Sequence, residues 1–473
     1  MNWTVDYGEG PQPVSLPHAW RQDVPVKWEG PAIYRTEIDV AHDDEWLVFE
    51  GVSFRAEVLF DGEPVAQHEG IWDAFSVPLR GHQGRNVNVE VRVTKNGGET
   101  FPVRRVLSGF LPYVFNTFGG IYGAVRVVRS QADPCEDLPP APQSRVVADG
   151  THLMVDGKPF FMRGVLSWGW YPELGHTNPT DDDVRQEVST AKSLGFNTIK
   201  FCLWVPRHRF FEILEEEGMF AWLELPLWDP DPSGLDKMEE ELGRIVRQFR
   251  RHSCIVAWTV GCELSGSTPP EFRRRLVQMV KDETGCPLVK DNSGGAEMYG
   301  GDLREFGTFD DFHPYCDTHF YPPVLESLRP GAREQRPILL GEFCDFDVHR
   351  DLARLKQEAP YWASADPALN DQGVRWQYDL PRVLAESRWA NCDNSALIAS
   401  SKSKRGWVRS RVMEAVYATP EIAGFVVTGW RHTPVSTSGL VDDALQPVYG
   451  QSKVDRWNRD DVLFLVPYRR PPW

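Results

Sequence analysis

Residues 254–265 read CIVAWTVGCELS, an apolar run from Cys254 to Gly261 broken only by Thr259 and followed at once by a carboxylate, Glu263. The run lacks the alternation of a half-exposed strand, which is the pattern of a strand covered on both faces in a parallel sheet. A carboxylate directly after such a run is costly to desolvate unless it is paired or working. The same arrangement returns in PILLGEFCDFD (337–347), where Glu342 follows five largely apolar residues. Each glutamate taken alone could cap a helix or pair with a basic residue of a neighbouring strand. Two at strand ends facing one mouth favour a chemical role.

Outward from these two, further runs follow the same rhythm: FFMRGVL (160–166), FNTIKFCLW (196–204), MFAWLEL (219–225), PLVKDNS (287–293), CDTHFYP (316–322) and AGFVVTGW (423–430). Between them lie helical patterns such as DDDVRQEVSTAKSLG, RHRFFEILEEEG and MEEELGRIVRQFRR, with Gly195 and Gly218 placed as helix stops. Eight runs alternating with helices predict a (β/α)8 TIM barrel over residues 145–473, with its active site at the C-terminal ends of the strands.

Residues 30–130 differ. Short alternating segments such as AIYRTEIDV and NVNVEVRVT are separated by turns, and Asp61-Gly62 is a hairpin signal. They predict a jelly-roll-like β-sandwich over residues 1–130, so the fold class is multi-domain, β followed by α/β. The connecting segment 131–144 carries proline at 134, 139, 140 and 142, which disfavours helix and central strand and marks a linker.

Length and composition agree with this division. The chain has 473 residues, enough for two or three domains, and 41% of them are hydrophobic, too many for a disordered chain. A net charge of −17 argues against nucleic acid and anionic membranes as partners. No basic leader with an apolar core opens the sequence and no stretch is apolar enough to span a bilayer, so the expectation is a cytoplasmic protein, or a secreted one if a leader was trimmed. The eight cysteines never form C-x-x-C and several interrupt apolar runs, which reads as buried thiols rather than a disulfide frame or zinc site.

Two carboxylates at one barrel mouth suit glycoside hydrolysis, in which one protonates the leaving oxygen and the other attacks the anomeric carbon. At this point the sequence resembles the family 2 glycoside hydrolases, the β-galactosidase, β-glucuronidase and β-mannosidase group. In the sandwich the resemblance rests on VSLPHAW (14–20), GPAIYRTEIDV (30–40), the segment 47–79 and FGGIYGAVRVV (118–128). In the barrel it rests on VDGKPFFMRGVLSWG, LGFNTIKF, FFEILEEEGMFAWLELP, RHSCIVAWTVGCE and PILLGEF. The resemblance implies a retaining exo-β-glycosidase with Glu263 as general acid/base and Glu342 as nucleophile. It also implies Tyr321 near the nucleophile, Trp430 as a platform under the sugar ring, and Glu224 at an acidic position of the family, where a structural ion pair is an equal explanation.

The sequence departs from that family in having Cys262 where an Asn normally precedes the acid/base, Lys200 for a strand-two Arg, and Ser167-Trp168-Gly169-Trp170 for a His-rich loop. The linker also leaves no room for the usual immunoglobulin-like domain. A thiol is a poor hydrogen-bond partner for a sugar 2-hydroxyl, so Cys262 puts the substrate in question and keeps open the alternative of a carbohydrate-binding protein with altered or lost turnover. Trp168 and Trp204 sit at strand ends where a sugar could stack. Asp345, with Asp347, Asp229 and Asp317, would make the mouth acidic, able to hydrogen-bond neutral hydroxyls or attract an amino sugar, although solvated loop aspartates are the commoner explanation; the net charge of −17 disfavours a uronic acid. His313 and His319 near strand six are read as hydrogen-bonding or packing residues, His319 being placed with the substrate. No metal and no cofactor is expected; the expected partner is a carbohydrate, and a homo-oligomer is compatible with the sequence. Signatures of serine hydrolases, nucleotide enzymes and zincins are missing from the chain.

Overall fold

The computed structural model describes residues 1–473 apart from 21–23, 26, 115, 116, 267, 295–305, 329–335, 365–379, 451–453, 455 and 464–473. Alternation in the N-terminal third becomes a sandwich. Its six-stranded antiparallel sheet runs, in spatial order, Gln12–Val14, Trp3–Asp6, Ala32–Asp39, Asn86–Thr94, Arg55–Phe60 and Glu63–Glu69. A three-stranded sheet of Phe75–Pro78, Glu45–Phe49 and Val125–Arg129 faces it. Val87, Val89, Val91 and Val93 are buried while their neighbours point outward, as period-2 patterning requires. Asp61 and Gly62, at φ 51° and 91°, form the two-residue turn of the hairpin that pairs Phe60 with Glu63.

The segment 131–144 contains neither helix nor strand. Next comes a small antiparallel sheet, Val146–Asp149, His152–Val155 and Lys158–Phe160. Beyond it an eight-stranded parallel sheet curls into a nearly closed barrel. In chain order its strands are Met162–Ser167, Thr198–Phe201, Phe220–Glu224, Ile255–Thr259, Val289–Lys290, Asp310–Phe312, Ile338–Phe343 and Ile422–Val427. Strand one pairs with strands two and eight, and Met162 faces Gly424. A Cβ on Gly424 would lie 2.4 Å from that of Met162, so a glycine is required where the barrel closes.

Seven of the predicted runs overlap a barrel strand; strand six does not. CDTHFYP (316–322) is a short 3-10 turn, Thr318–Phe320, leading into the helix Tyr321–Leu328, and the strand is instead Asp310–Phe312. Two aspartates hid it. Asp310 and Asp311 are nonetheless buried, and Asp311 Oδ1 accepts from Gly341 N at 2.9 Å, on strand seven.

Gly195 and Gly218, both at positive φ, end their helices where the sequence predicts. Thr180 caps Asp181–Ser193 in a capping box with Asp183, and Gly218, at φ 67°, closes His208–Glu217 in the left-handed conformation. The sandwich docks on the barrel through the segment Gly70–Ala74. Asp73 is fully buried against Arg244 (Oδ2 to Nε, 2.6 Å), and Gln248 bonds both the N–H and the C=O of Ala74 at 2.8 Å.

Candidate active site

The C-terminal ends of strands two, three, four, six and seven converge on one buried polar cluster. Glu342 lies within strand seven. The Tyr315 hydroxyl donates to its Oε2 at 2.5 Å, while the thiols of Cys202 and Cys262 lie 3.5 and 3.6 Å from its Oε1. Lys200, fully buried on strand two, approaches Glu342 Oε1 at 3.8 Å and pairs with Glu224 Oε2, at the end of strand three, at 2.7 Å. Burial alone would push the Glu342 carboxyl up. The charges of His313 and Lys200, with the Tyr315 hydroxyl, outweigh it and hold the group below the usual carboxylate range. A carboxylate kept ionised in a buried site is equipped to act as a nucleophile.

Glu263 follows strand four and remains partly exposed. Its backbone is left-handed, φ 45°, a strained state for a residue with a Cβ. The turn is held by Glu263 N donating to Ser293 O (2.9 Å) and Leu264 N to Asn292 Oδ1 (2.7 Å). The Glu263 side chain meets His313 Nδ1 at 2.9 Å, and His313 Nε2 lies 2.9 Å from Ser293 Oγ and 3.9 Å from Glu342 Oε1. Burial would lower the His313 imidazole, but the Glu342 charge and the Glu263 hydrogen bond reverse this and raise it to about 9. Through His313 the two glutamates are joined, and an oxygen of each lies within 4.8 Å of the other.

Behind them Lys200 also donates to Ser293 Oγ (2.7 Å) and Gly341 O (3.2 Å), and Ser293 Oγ donates to Asp311 Oδ2 (2.6 Å). Burial pushes the Asp311 carboxyl up to about 6 against the pull of Lys200 and His313. The mouth is rimmed by aromatic rings from both parts of the chain. Phe110 and Tyr113 pack on Trp228 at ring-centre distances of 5.1 and 4.5 Å, and Phe110 lies 5.8 Å from Trp168.

Several sequence-based placements need correction. Tyr321 is buried at the start of its helix, where its hydroxyl accepts from Cys344 N at 3.2 Å; the tyrosine on Glu342 is Tyr315. His319 is exposed on the 3-10 turn against Phe320, and the histidine of the site is His313. Both errors follow from misplacing strand six. Trp204 is fully buried among Phe201, Phe210 and Tyr171 with its indole N–H on Ser167 O, so it offers no face to a sugar.

The remaining placements put residues near the cluster. Cys262 and Glu224 stand in it, and Trp168 lies at its rim. Trp430 is largely buried and lines a small cavity with Trp168, Trp170 and Arg431. Asp345, just past Glu342, accepts from Ser436 Oγ at 3.2 Å. Cys202, His313's bridging position, Tyr315, Phe110 and Tyr113 were not foreseen. HPY directly after DDF was the available signal for His313 and Tyr315, and nothing in the sequence pointed to the other three.

No family model matches the chain. Among curated proteins it is similar to the β-galactosidase of Vibrio cholerae serotype O1, 23% identical over 203 residues, which cover 40% of this chain and 19% of that protein. It is also similar to the β-galactosidase of Klebsiella pneumoniae, 25% identical over 265 residues, 49% of this chain and 24% of that one. The matches thus span about a fifth to a quarter of the length of these relatives. Among solved structures, a GH2 β-galacturonidase from Eisenbergiella tayi bound to galacturonate superposes with a TM-score of 0.71 at 14% identity, covering 98% of this chain and 97% of that one. A β-glucuronidase from Ruminococcus gnavus in complex with D-glucuronic acid gives 0.72 at 11% identity, covering 97% and 96%. The fold is therefore that of the family 2 glycoside hydrolases. No described helix is long and apolar enough to cross a membrane.

Proposed function

We propose that this chain is a retaining exo-β-glycosidase that removes a terminal sugar from an oligosaccharide or glycoside. The observation that carries the reading is the proximity of Glu263 and Glu342, with oxygens within 4.8 Å across His313. Retaining enzymes hold their two carboxyl groups about 5–5.5 Å apart, whereas inverting ones need roughly 6.5–9.5 Å to admit a water. The β-galactosidase relatives and the β-galacturonidase and β-glucuronidase neighbours support the same class of chemistry.

In the first step Glu342 attacks the anomeric carbon. The bond to the leaving oxygen breaks, and that oxygen takes a proton held on the Glu263–His313 pair. In the second step the pair accepts a proton from water, whose oxygen attacks the same carbon and releases Glu342. Lys200 and Tyr315 keep Glu342 ionised and oriented, so that its charge is ready before substrate arrives.

The test is a panel of aryl β-glycosides with activated and poor leaving groups, run on wild type, Glu342→Ala and Glu263→Ala. Glu342→Ala should abolish turnover, and Glu263→Ala should slow poor leaving groups far more than activated ones. Wild type releasing no more phenolate than Glu342→Ala on every sugar would instead favour a carbohydrate-binding protein.

A further inference from the structure

Four side chains of the cluster, Cys202, Glu224, Cys262 and Glu342, each offer one ligand atom, and these atoms all lie within 4.8 Å of one another. All four residues are buried. Tetrahedral zinc bound by sulfur at about 2.3 Å and by carboxylate oxygen at about 2.0 Å sets these ligands about 3.5 Å apart. The two sulfur-to-Glu342 Oε1 distances are 3.5 and 3.6 Å. Two of the three tetrahedron edges that meet at Glu342 thus already have the length zinc requires, and the third, to Glu224, lies within 4.8 Å.

We infer that Cys202, Cys262, Glu224 and Glu342 form a binding site for a thiophilic divalent cation such as Zn2+, which occupies Glu342 and so blocks the site. The blocking role rests on the proposed function of Glu342; the binding does not. Charge bookkeeping favours a dication. Without metal, two carboxylates against Lys200 leave one net negative charge among these groups. Binding a dication with release of the two thiol protons to solvent leaves that net charge unchanged, which limits the electrostatic cost of filling a buried site. Lys200 stays where it is, its hydrogen bonds spent on Ser293 Oγ and Gly341 O beside its ion pair with Glu224. Soft thiolate ligands select against Mg2+ and Ca2+, which prefer all-oxygen sites.

The experiment titrates the whole chain with Cd2+ under a non-thiol reductant and follows the ultraviolet thiolate-to-cadmium charge-transfer band. A Cys316→Ser/Cys392→Ser background removes the two cysteines that are not buried. The band should saturate at about one Cd2+ per chain in that background and be lost in Cys202→Ser/Cys262→Ser. A band that is missing from wild type, or one that survives in the double variant, overturns the inference. Should the double variant not fold, anomalous diffraction from Cd2+-soaked wild-type crystals decides, because an ion not bonded to both sulfurs also overturns it. Zn2+ should in addition inhibit aryl glycoside cleavage, with activity restored by a chelator. Cleavage without cadmium binding removes only this inference, and cadmium binding without cleavage removes only the glycosidase reading.

Discussion

His313 Nδ1 lies 2.9 Å from Glu263 Oε1, so a buried imidazole and the carboxylate at the mouth share one hydrogen bond. His313 is buried while Glu263 is partly exposed, and the pair connects solvent at the mouth to the Glu342 pocket.

The first prediction concerns pH and activity. The His313 imidazole is raised to about 9, so its proton is present at neutral pH and lost as pH rises through that value. The kcat/KM of wild type should fall on the alkaline side near pH 9. In His313→Asn that limb should move, and cleavage of poor leaving groups should drop by about 100-fold or more, within the usual range for acid–base catalysis. An alkaline limb unchanged in the variant would remove His313 from the proton path.

Tyr315 and Tyr321 supply a paired test of which tyrosine serves Glu342. Only the Tyr315 hydroxyl bonds Glu342, at 2.5 Å; that of Tyr321 bonds a backbone amide. A hydrogen bond to a charged group is worth about 1.5–3 kcal/mol, so Tyr315→Phe should lose roughly 10- to 100-fold in kcat/KM. Tyr321→Phe should change it only a few-fold. Steady-state kinetics on one activated substrate decides, and equal losses would contradict the assignment.

The Lys200–Glu224 pair should behave as a buried ion pair in stability measurements. Both residues are fully buried, 2.7 Å apart. Lys200→Met strands a carboxylate, and the expected cost is about 3–5 kcal/mol by chemical denaturation. Adding Glu224→Gln should recover a large part of it; no recovery would mean that Lys200 is held mainly by Ser293 and Gly341.

Glu187 gives a pH-dependent stability whose sign can be worked out. It is buried beneath Tyr171, whose hydroxyl donates to it at 2.9 Å, and burial holds its carboxyl up at about 7. Between the ordinary glutamate value of 4.5 and about 7 the folded chain keeps a proton that the unfolded chain has released. Stability is therefore lost as pH rises through that window. Glu187→Gln should raise the melting temperature at pH 8 and leave it unchanged or lower at pH 4. A gain of equal size at both values would point to packing.

Parts of the site were legible because chemistry and periodicity coincide there. Glu263 and Glu342 each follow an apolar run, and few explanations fit a carboxylate in that position other than pairing or work. Glu224 was legible in the same way, with the ion pair now identified as Lys200. Strand six was not legible, because Asp310 and Asp311 break the apolar pattern on which such runs are recognised. Their burial is sustained by partners distant in sequence, the Gly341 amide among them. With strand six misplaced, His313 and Tyr315 were displaced in favour of His319 and Tyr321. Trp204 misled for the opposite reason: its position at a strand end says nothing about direction, and Leu203, at φ 59°, turns the chain just before it.

Sequence by itself determined the order of sandwich and barrel and the strand ends that carry the two glutamates. These follow from local periodicity and from the cost of burying charge, which every short segment records. Only the tertiary structure decided that Cys202 joins Cys262 on Glu342, that His313 bridges the glutamates, and that Phe110 and Tyr113 reach the barrel mouth. Each of those contacts joins residues many positions apart, and barrel closure together with sandwich docking, rather than any local pattern, brings them within a few ångströms.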